Sequence, residues 1–92
     1  MAVLSDDEIG RRLAEAEGWE RDGDAIRRQF QFDDFQGSVD FVNRLAPVAE
    51  EMNHHPDLEI SWNKVTVTLS THSEGGLTEN DFELAGKIDS LG

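Results

Sequence analysis

The segment LEISWNKVTVTLSTH, residues 58–72, constrains the fold more than any other part of the sequence. Apolar side chains recur at every second position on both sides of Asn63-Lys64, at Leu58, Ile60 and Trp62 and then at Val65, Val67 and Leu69. Such alternation in residues of high β propensity is typical of strands that are buried on one face. The segment therefore predicts a β-hairpin that reverses at Asn63-Lys64.

A second hairpin is predicted nearer the N-terminus, in WERDGDAIRRQFQF. Asp22-Gly23 is a strong turn signal between two extended runs. In the run that follows the turn, four side chains share one face of the predicted strand, namely Ile26, Arg28, Phe30 and Phe32.

Helical spacing of apolar residues marks the two ends of the chain. LSDDEIGRRLAEAEGW has Ser5 as a predicted N-cap and Glu8 three residues later, the pattern of a capping box. The closing segment after Gly75-Gly76 has Thr78 as its predicted N-cap, with Asp81 at the third helical position.

A longer helix is predicted in the middle of the chain, in DDFQGSVDFVNRLAPVAEEMNHH. Its apolar stripe includes Phe41, Leu45 and Val48. His55 precedes Pro56, and a proline disfavours helical geometry in the residue before it. This helix is therefore expected to end at about His55.

The predicted order of elements is α-β-β-α-β-β-α. It indicates an α+β fold with a four-stranded antiparallel sheet and three helices packed on one face of that sheet. The other face would be free for a ligand or a partner. No linker divides the chain, so residues 1–92 are expected to form a single domain.

The charge balance narrows the class of partners. Twenty acidic residues face eight basic ones, and a net charge of −12 disfavours direct binding to nucleic acid or anionic membranes. The sequence has no cysteine, no secretory signal pattern and no apolar run near the roughly 20 residues of a membrane helix. These features predict a soluble cytoplasmic protein. The small core and the apolar edge of the second hairpin favour a homodimer or homotetramer.

Candidate chemistry centres on the three histidines of the chain, His54, His55 and His72. Histidine titrates near neutral pH and can both donate and accept protons. Glu50 precedes His54 by four residues, so it could hold one imidazole nitrogen across a helical turn. If the strand that ends at His72 runs beside the end of the middle helix, the three imidazoles meet in one cleft.

Other interpretations of these residues stay open on the sequence alone. A single histidine in a small domain is more often structural or exposed than catalytic. Asp81 fits a capping-box acid as well as a catalytic carboxylate. Three histidines suit zinc, but the adjacent pair His54-His55 lacks the spacing that places two ligands on one helix face, so no metal is expected. No phosphate-binding or nucleophile motif is present.

Four motifs together resemble the pterin-4a-carbinolamine dehydratase family. They are E-x-x-x-H-H-P from Glu50 to Pro56, the aromatic Trp62, V-x-V-x-L-x-T-H from Val65 to His72 and G-L-T-x-x-D from Gly76 to Asp81. The resemblance covers nearly the whole chain. Two positions depart from the family: Leu58 stands where an aromatic residue is common, and Asn53 where an aspartate is frequent.

The resemblance implies dehydration of 4a-hydroxytetrahydrobiopterin to quinonoid dihydropterin, which recycles the pterin of aromatic amino acid hydroxylases. It implies an α+β fold, no metal or organic cofactor, and dimers or tetramers. An animal member also binds a homeodomain transcription factor as a dimerisation cofactor. Some family-like proteins instead help to assemble carbon-fixing enzymes, so the alternative function is a non-catalytic dimerisation or assembly factor.

The catalytic histidines of the family correspond to His54, His55 and His72, and its supporting acids correspond to Glu50 and Asp81. The reaction needs one proton delivered to the leaving 4a-hydroxyl and one removed from N5, which suits one general acid and one general base. We assign His54 and His72 to proton transfer. The residues expected to contact the pterin are His55, Trp62 and Thr71.

Overall fold

The computed structural model describes residues 2–92 and confirms the predicted order of elements. The helices are α1 (Asp6–Glu15), α2 (Phe35–Met52) and α3 (Glu79–Asp89), and a short 3-10 helix spans His72–Glu74. The strands are β1 (Glu20–Asp22), β2 (Ala25–Gln31), β3 (Asp57–Ser61) and β4 (Lys64–Leu69).

The four strands form one antiparallel sheet in the order β1-β2-β4-β3. In the register of β2 and β4, Ile26 lies opposite Leu69 and Phe30 lies opposite Val65. These side chains and Val67 are buried, and the residues between them along each strand are more exposed. One face of the sheet is therefore apolar, as the alternation predicts.

The helices cover this apolar face. Phe41 of α2 is fully buried, and its ring lies 4.8 Å from the ring of Phe30 and 5.1 Å from that of Phe32. The remaining buried apolar residues of the three helices are Ile9, Leu45, Ala49, Leu84, Ala85 and Ile88. The opposite face is polar, and there Gln29 donates a hydrogen bond to the hydroxyl of Thr66. The structure is the predicted α+β layout of three helices and a four-stranded antiparallel sheet.

The outer edge of the sheet carries apolar side chains that the helices do not cover. Leu58 and Ile60 of β3 lie opposite Val67 and Val65, so they point to the same face as the core. They nevertheless remain 38% and 40% exposed. The edge of β3 thus combines apolar surface with backbone groups that no strand within residues 2–92 pairs.

The second hairpin reverses one residue earlier than predicted. Ser61 and Lys64 are paired, so Trp62 and Asn63 form the turn, and Trp62 adopts a left-handed φ of 53°. Tertiary hydrogen bonds account for the difference. The hydroxyl of Ser38 donates to the carbonyl of Trp62, and the side chain of Asn63 donates to the carbonyl of Phe32. Trp62 is therefore a turn residue and not a strand residue.

The end of α2 also differs from the prediction. The helix ends at Met52, and Asn53 is its C-cap with a left-handed φ of 50°. Asparagine tolerates this conformation better than most residues, and the backbone N–H of Asn53 bonds to carbonyls of the last turn. The N–H of His54 then donates to the carbonyl of Ala49. Asn53 therefore ends the helix three residues before Pro56, and the proline is not the residue that terminates it.

Candidate active site

His54 leaves the end of α2 toward α3 and is buried. Its Nε2 lies 2.6 Å from Oδ1 of Asp81, which is fully buried in the first turn of α3. A separation this short is typical of a charge-assisted hydrogen bond. The partner of His54 is thus Asp81, 27 residues further along the chain, and not Glu50 as the helical spacing indicates.

Asp81 is the capping-box acid of α3 and also contacts an imidazole, while its catalytic role stays a prediction. Its Oδ2 accepts a hydrogen bond from the backbone N–H of Thr78 at 2.9 Å, which is the capping-box contact. The same oxygen accepts a hydrogen bond from the hydroxyl of Thr71, also at 2.9 Å. Because Oδ1 remains for His54, one carboxylate caps α3 and also fixes an imidazole.

His55 points to a different environment. It is about half exposed, and its Nε2 lies 3.4 Å from Oε1 of Glu50, which is itself largely exposed. The left-handed residue Asn53 precedes the pair, so the adjacent histidines do not continue the helix. Glu50 therefore accompanies His55, and both side chains are exposed.

His72 opens the short 3-10 helix that follows β4. Its Nε2 lies 3.8 Å from Oδ2 of Asp57, and both side chains are 76% exposed. Asp57 is a contact that sequence analysis missed. Its only signal was its place directly after Pro56, two residues beyond His55. This contact places His72 beside Asp57, at the start of β3, two residues after the histidine pair.

The two other residues expected to contact a pterin lie in contrasting positions. Thr71 is buried, and its hydroxyl is engaged by Asp81 and by the hydroxyl of Thr78. Trp62 is 69% exposed at the far end of β3 from Asp57. At about 3.4 Å per residue that separation is on the order of 17 Å, so within one chain Trp62 does not lie with the histidines. Its contact with a pterin stays a prediction.

Hydrogen bonds shift the pKa values of two side chains on α1, outside this cluster. A backbone hydrogen bond from Ser5, supported by the Ser5 hydroxyl, lowers the pKa of Glu8. A side-chain hydrogen bond with Glu79 raises the pKa of Arg12. The capping box of Ser5 and Glu8 is thereby confirmed, with both of its hydrogen bonds formed.

Within residues 2–92, no group of three or more histidine or acidic side chains is arranged to hold a metal ion. In the same range, no helix has both the length and the apolar character to cross a membrane.

Fold and site together define an α+β domain in which a buried imidazole–carboxylate pair lies at the junction of two helices. The chain belongs to the family described as pterin 4 alpha carbinolamine dehydratase, which it matches over residues 2–91. A relative from Sulfolobus acidocaldarius, provisionally named as a pterin-4-alpha-carbinolamine dehydratase, is 51% identical over 88 residues. That alignment covers 96% of this chain and 97% of the relative.

Solved structures give the same fold. The crystal structure described as a transcriptional coactivator/pterin dehydratase from Brucella melitensis has a TM-score of 0.92 and 37% identity, over 97% of each chain. A pterin dehydratase-like protein described as a RuBisCO assembly factor in the alpha-carboxysome has a TM-score of 0.70. It is 24% identical, with 82% of this chain and 89% of that chain covered, and shows similarity of fold alone.

Proposed function

We propose that this protein dehydrates a 4a-hydroxytetrahydropterin, of the 4a-hydroxytetrahydrobiopterin type, to the quinonoid dihydropterin. The observation that carries the proposal is the 2.6 Å contact between His54 and the buried Asp81 in a chain of this family. A buried carboxylate that accepts from one imidazole nitrogen stabilises the imidazolium formed when the other nitrogen takes a proton. Such a pair suits a general base.

In the proposed reaction, His54 removes the proton from N5 of the pterin through its Nδ1. The electron pair of that N–H bond forms the double bond between N5 and C4a. The bond from C4a to oxygen breaks, and the leaving hydroxyl takes a proton from a general acid to depart as water. One proton is removed and one is supplied, so the reaction needs no oxidant, reductant or cofactor.

We assign the acid role to His72. Its Nε2 lies beside Asp57, and its exposure allows it to regain a proton from water after each turnover. His55 beside Glu50 would hold the substrate. Each of the two proton transfers typically contributes ~10²–10⁴-fold.

Association of copies is part of the proposal. The uncovered side chains of Leu58 and Ile60 lie on the unpaired edge of β3, which is the kind of surface that pairs with another chain. We therefore propose a homodimer or homotetramer. The recycling of a hydroxylase pterin and the cytoplasmic location stay predictions.

The decisive experiment follows the decay of enzymatically generated 4a-hydroxytetrahydropterin with and without the protein. Wild type should accelerate the decay, and His54→Ala and His72→Ala should each lose at least about a hundredfold. His55→Ala should mainly raise KM. A chelator should have no effect, and loss of activity on chelation would assign the reaction to a metal. A folded wild type that leaves the decay unchanged would favour the non-catalytic dimerisation or assembly role.

A further inference from the structure

The loop between β4 and α3 brings the hydroxyl of Thr71 to the carboxylate that holds His54, and the hydroxyl of Thr78 to that of Thr71. Thr71 and Gly76 form an isolated bridge, and the N–H of Thr71 donates to the carbonyl of Gly76 at 3.1 Å. This closure folds the loop back on itself, so the hydroxyls of Thr71 and Thr78 lie 2.8 Å apart. Both threonines are buried.

The direction of each hydrogen bond in this cluster follows from its chemistry. An ionised carboxylate only accepts, so the hydroxyl of Thr71 gives its single hydrogen to Oδ2 of Asp81. The contact between the two hydroxyls then requires Thr78 to donate and Thr71 to accept. Oδ1 of Asp81 must in turn accept from His54, which places a proton on Nε2.

We propose that Thr71 and Thr78 are positioning residues that set the tautomer of His54. Their hydroxyls form a directed chain through Asp81, which keeps the proton of the neutral imidazole on Nε2 and leaves Nδ1 able to accept one. The kinetic part of this inference rests on the proposed dehydratase function, whereas the tautomer is a property of the folded protein alone.

The hydroxyl of Thr71 gives Asp81 a second hydrogen bond, in addition to the one from the helix cap. The backbone N–H of Thr78 anchors Oδ2 of Asp81 through one hydrogen bond, and this bond survives any change in the side chain of Thr71. The second hydrogen bond on the same oxygen restricts rotation of the carboxylate and directs Oδ1 to the imidazole. The same bond uses the only hydrogen of the Thr71 hydroxyl, so this hydroxyl has none left to donate to a pterin.

The test compares Thr71→Val, which keeps the size of the side chain, with Thr71→Ser, which keeps the hydroxyl. Nitrogen-15 NMR of the imidazole rings reports the tautomer of His54, and the decay of 4a-hydroxytetrahydropterin reports kcat and KM. We expect a single Nε2–H tautomer in wild type and Thr71→Ser, and a mixture of tautomers in Thr71→Val. In Thr71→Val we also expect kcat to fall by about ten- to a hundredfold with KM unchanged.

Thr66→Val is the matched control, because its hydroxyl bonds to Gln29 on the polar face of the sheet. It should leave both the tautomer and kcat at their wild-type values. A folded Thr71→Val that keeps the Nε2–H tautomer and the wild-type kcat overturns the inference, since the hydroxyl would then only add stability.

The wild-type spectrum decides the matter even if Thr71→Val fails to fold. An Nδ1–H tautomer for His54 would mean that Asp81 donates to the imidazole, and it would overturn the directed chain. If wild type shows the Nε2–H tautomer but does not accelerate the decay of the substrate, the proposed dehydratase function fails while the positioning of His54 stands.

Discussion

Replacing Asp81 with asparagine tests the pairing on which the proposed chemistry depends. The amide matches the carboxylate in size, so it opens no cavity at a position that is fully buried. Its oxygen can accept the hydrogen bonds from Thr78 and Thr71, and this turns its NH₂ group toward Nε2 of His54. A donor at that place favours the tautomer with its proton on Nδ1, so Nδ1 can no longer accept one.

The expected loss of activity is larger than the loss of stability. A mispositioned general base costs ~10²–10⁴-fold in kcat, which corresponds to about 3–5 kcal/mol of activation free energy. The hydrogen bonds of Asp81 to Thr71, Thr78 and His54 lose their charged acceptor, and each becomes about 1 kcal/mol weaker. Removal of a buried charge offsets part of this, so the free energy of unfolding should fall by less than about 3 kcal/mol.

The decay of 4a-hydroxytetrahydropterin measures the activity of Asp81→Asn, and urea denaturation measures its stability. Asp89→Asn is the matched control, because Asp89 lies on the same helix but binds Arg28 and the indole N–H of Trp19. We expect it to keep wild-type activity. A folded Asp81→Asn that accelerates the decay as well as wild type would show that Asp81 acts only as the cap of α3, and the reasoning above would be wrong.

Three further predictions concern charge and association. Glu50→Gln should lower activity by less than about fivefold, because exposed ion pairs such as that of Glu50 with His55 contribute at most about 1 kcal/mol. A larger loss of activity in the decay assay would contradict this prediction. The pKa of Glu8 is lowered from 4.5 by hydrogen bonds from Ser5, so its stabilising contribution is present above pH 4.5 and is lost as the pH falls through the lowered pKa. Urea denaturation of Glu8→Gln should therefore show a weaker loss of stability on acidification than wild type, and an unchanged slope would refute this. Ile60→Lys should sediment as a monomer at micromolar concentration where wild type associates, and a monomeric wild type would contradict the proposed oligomer.

Regular patterns in the sequence predicted the fold well. Alternation at Val65, Val67 and Leu69 located β4, because side chains of a strand point alternately to the two faces of a sheet and only one face is buried here. The capping box of Ser5 and Glu8 located the start of α1, because both of its hydrogen bonds are local. These signals need no knowledge of distant parts of the chain.

Boundaries that depend on tertiary contacts were predicted less well. The reversal at Trp62 is fixed by Ser38, which is 24 residues away in the sequence. The end of α2 depends on the left-handed conformation of Asn53, and the sequence made Pro56 the more obvious terminator. Each shift is small along the chain, but the second one decides where His54 points.

The candidate site residues were also predicted well from local motifs and less well where a tertiary contact decides the partner. The motifs singled out the histidines and both acids, but helical spacing paired Glu50 with His54 where the structure pairs Asp81 with it. Spacing reports only neighbours on one helix, whereas the Asp81 contact crosses from α2 to α3. The contact of Asp57 with His72 had only the position of Asp57 directly after Pro56 as a signal.

The two adjacent histidines lie in different environments because Asn53 ends the helix just before them. Its left-handed conformation turns the chain so that His54 enters the space beneath α3 while His55 stays in solvent. The buried imidazole of His54 contacts the carboxylate of Asp81, whereas the exposed imidazole of His55 lies beside Glu50. The difference in burial between His54, the proposed base, and His55, the proposed substrate contact, therefore arises from the backbone at Asn53. The position of His54 also depends on the start of α3, because the carboxylate of Asp81 that caps this helix also contacts the imidazole.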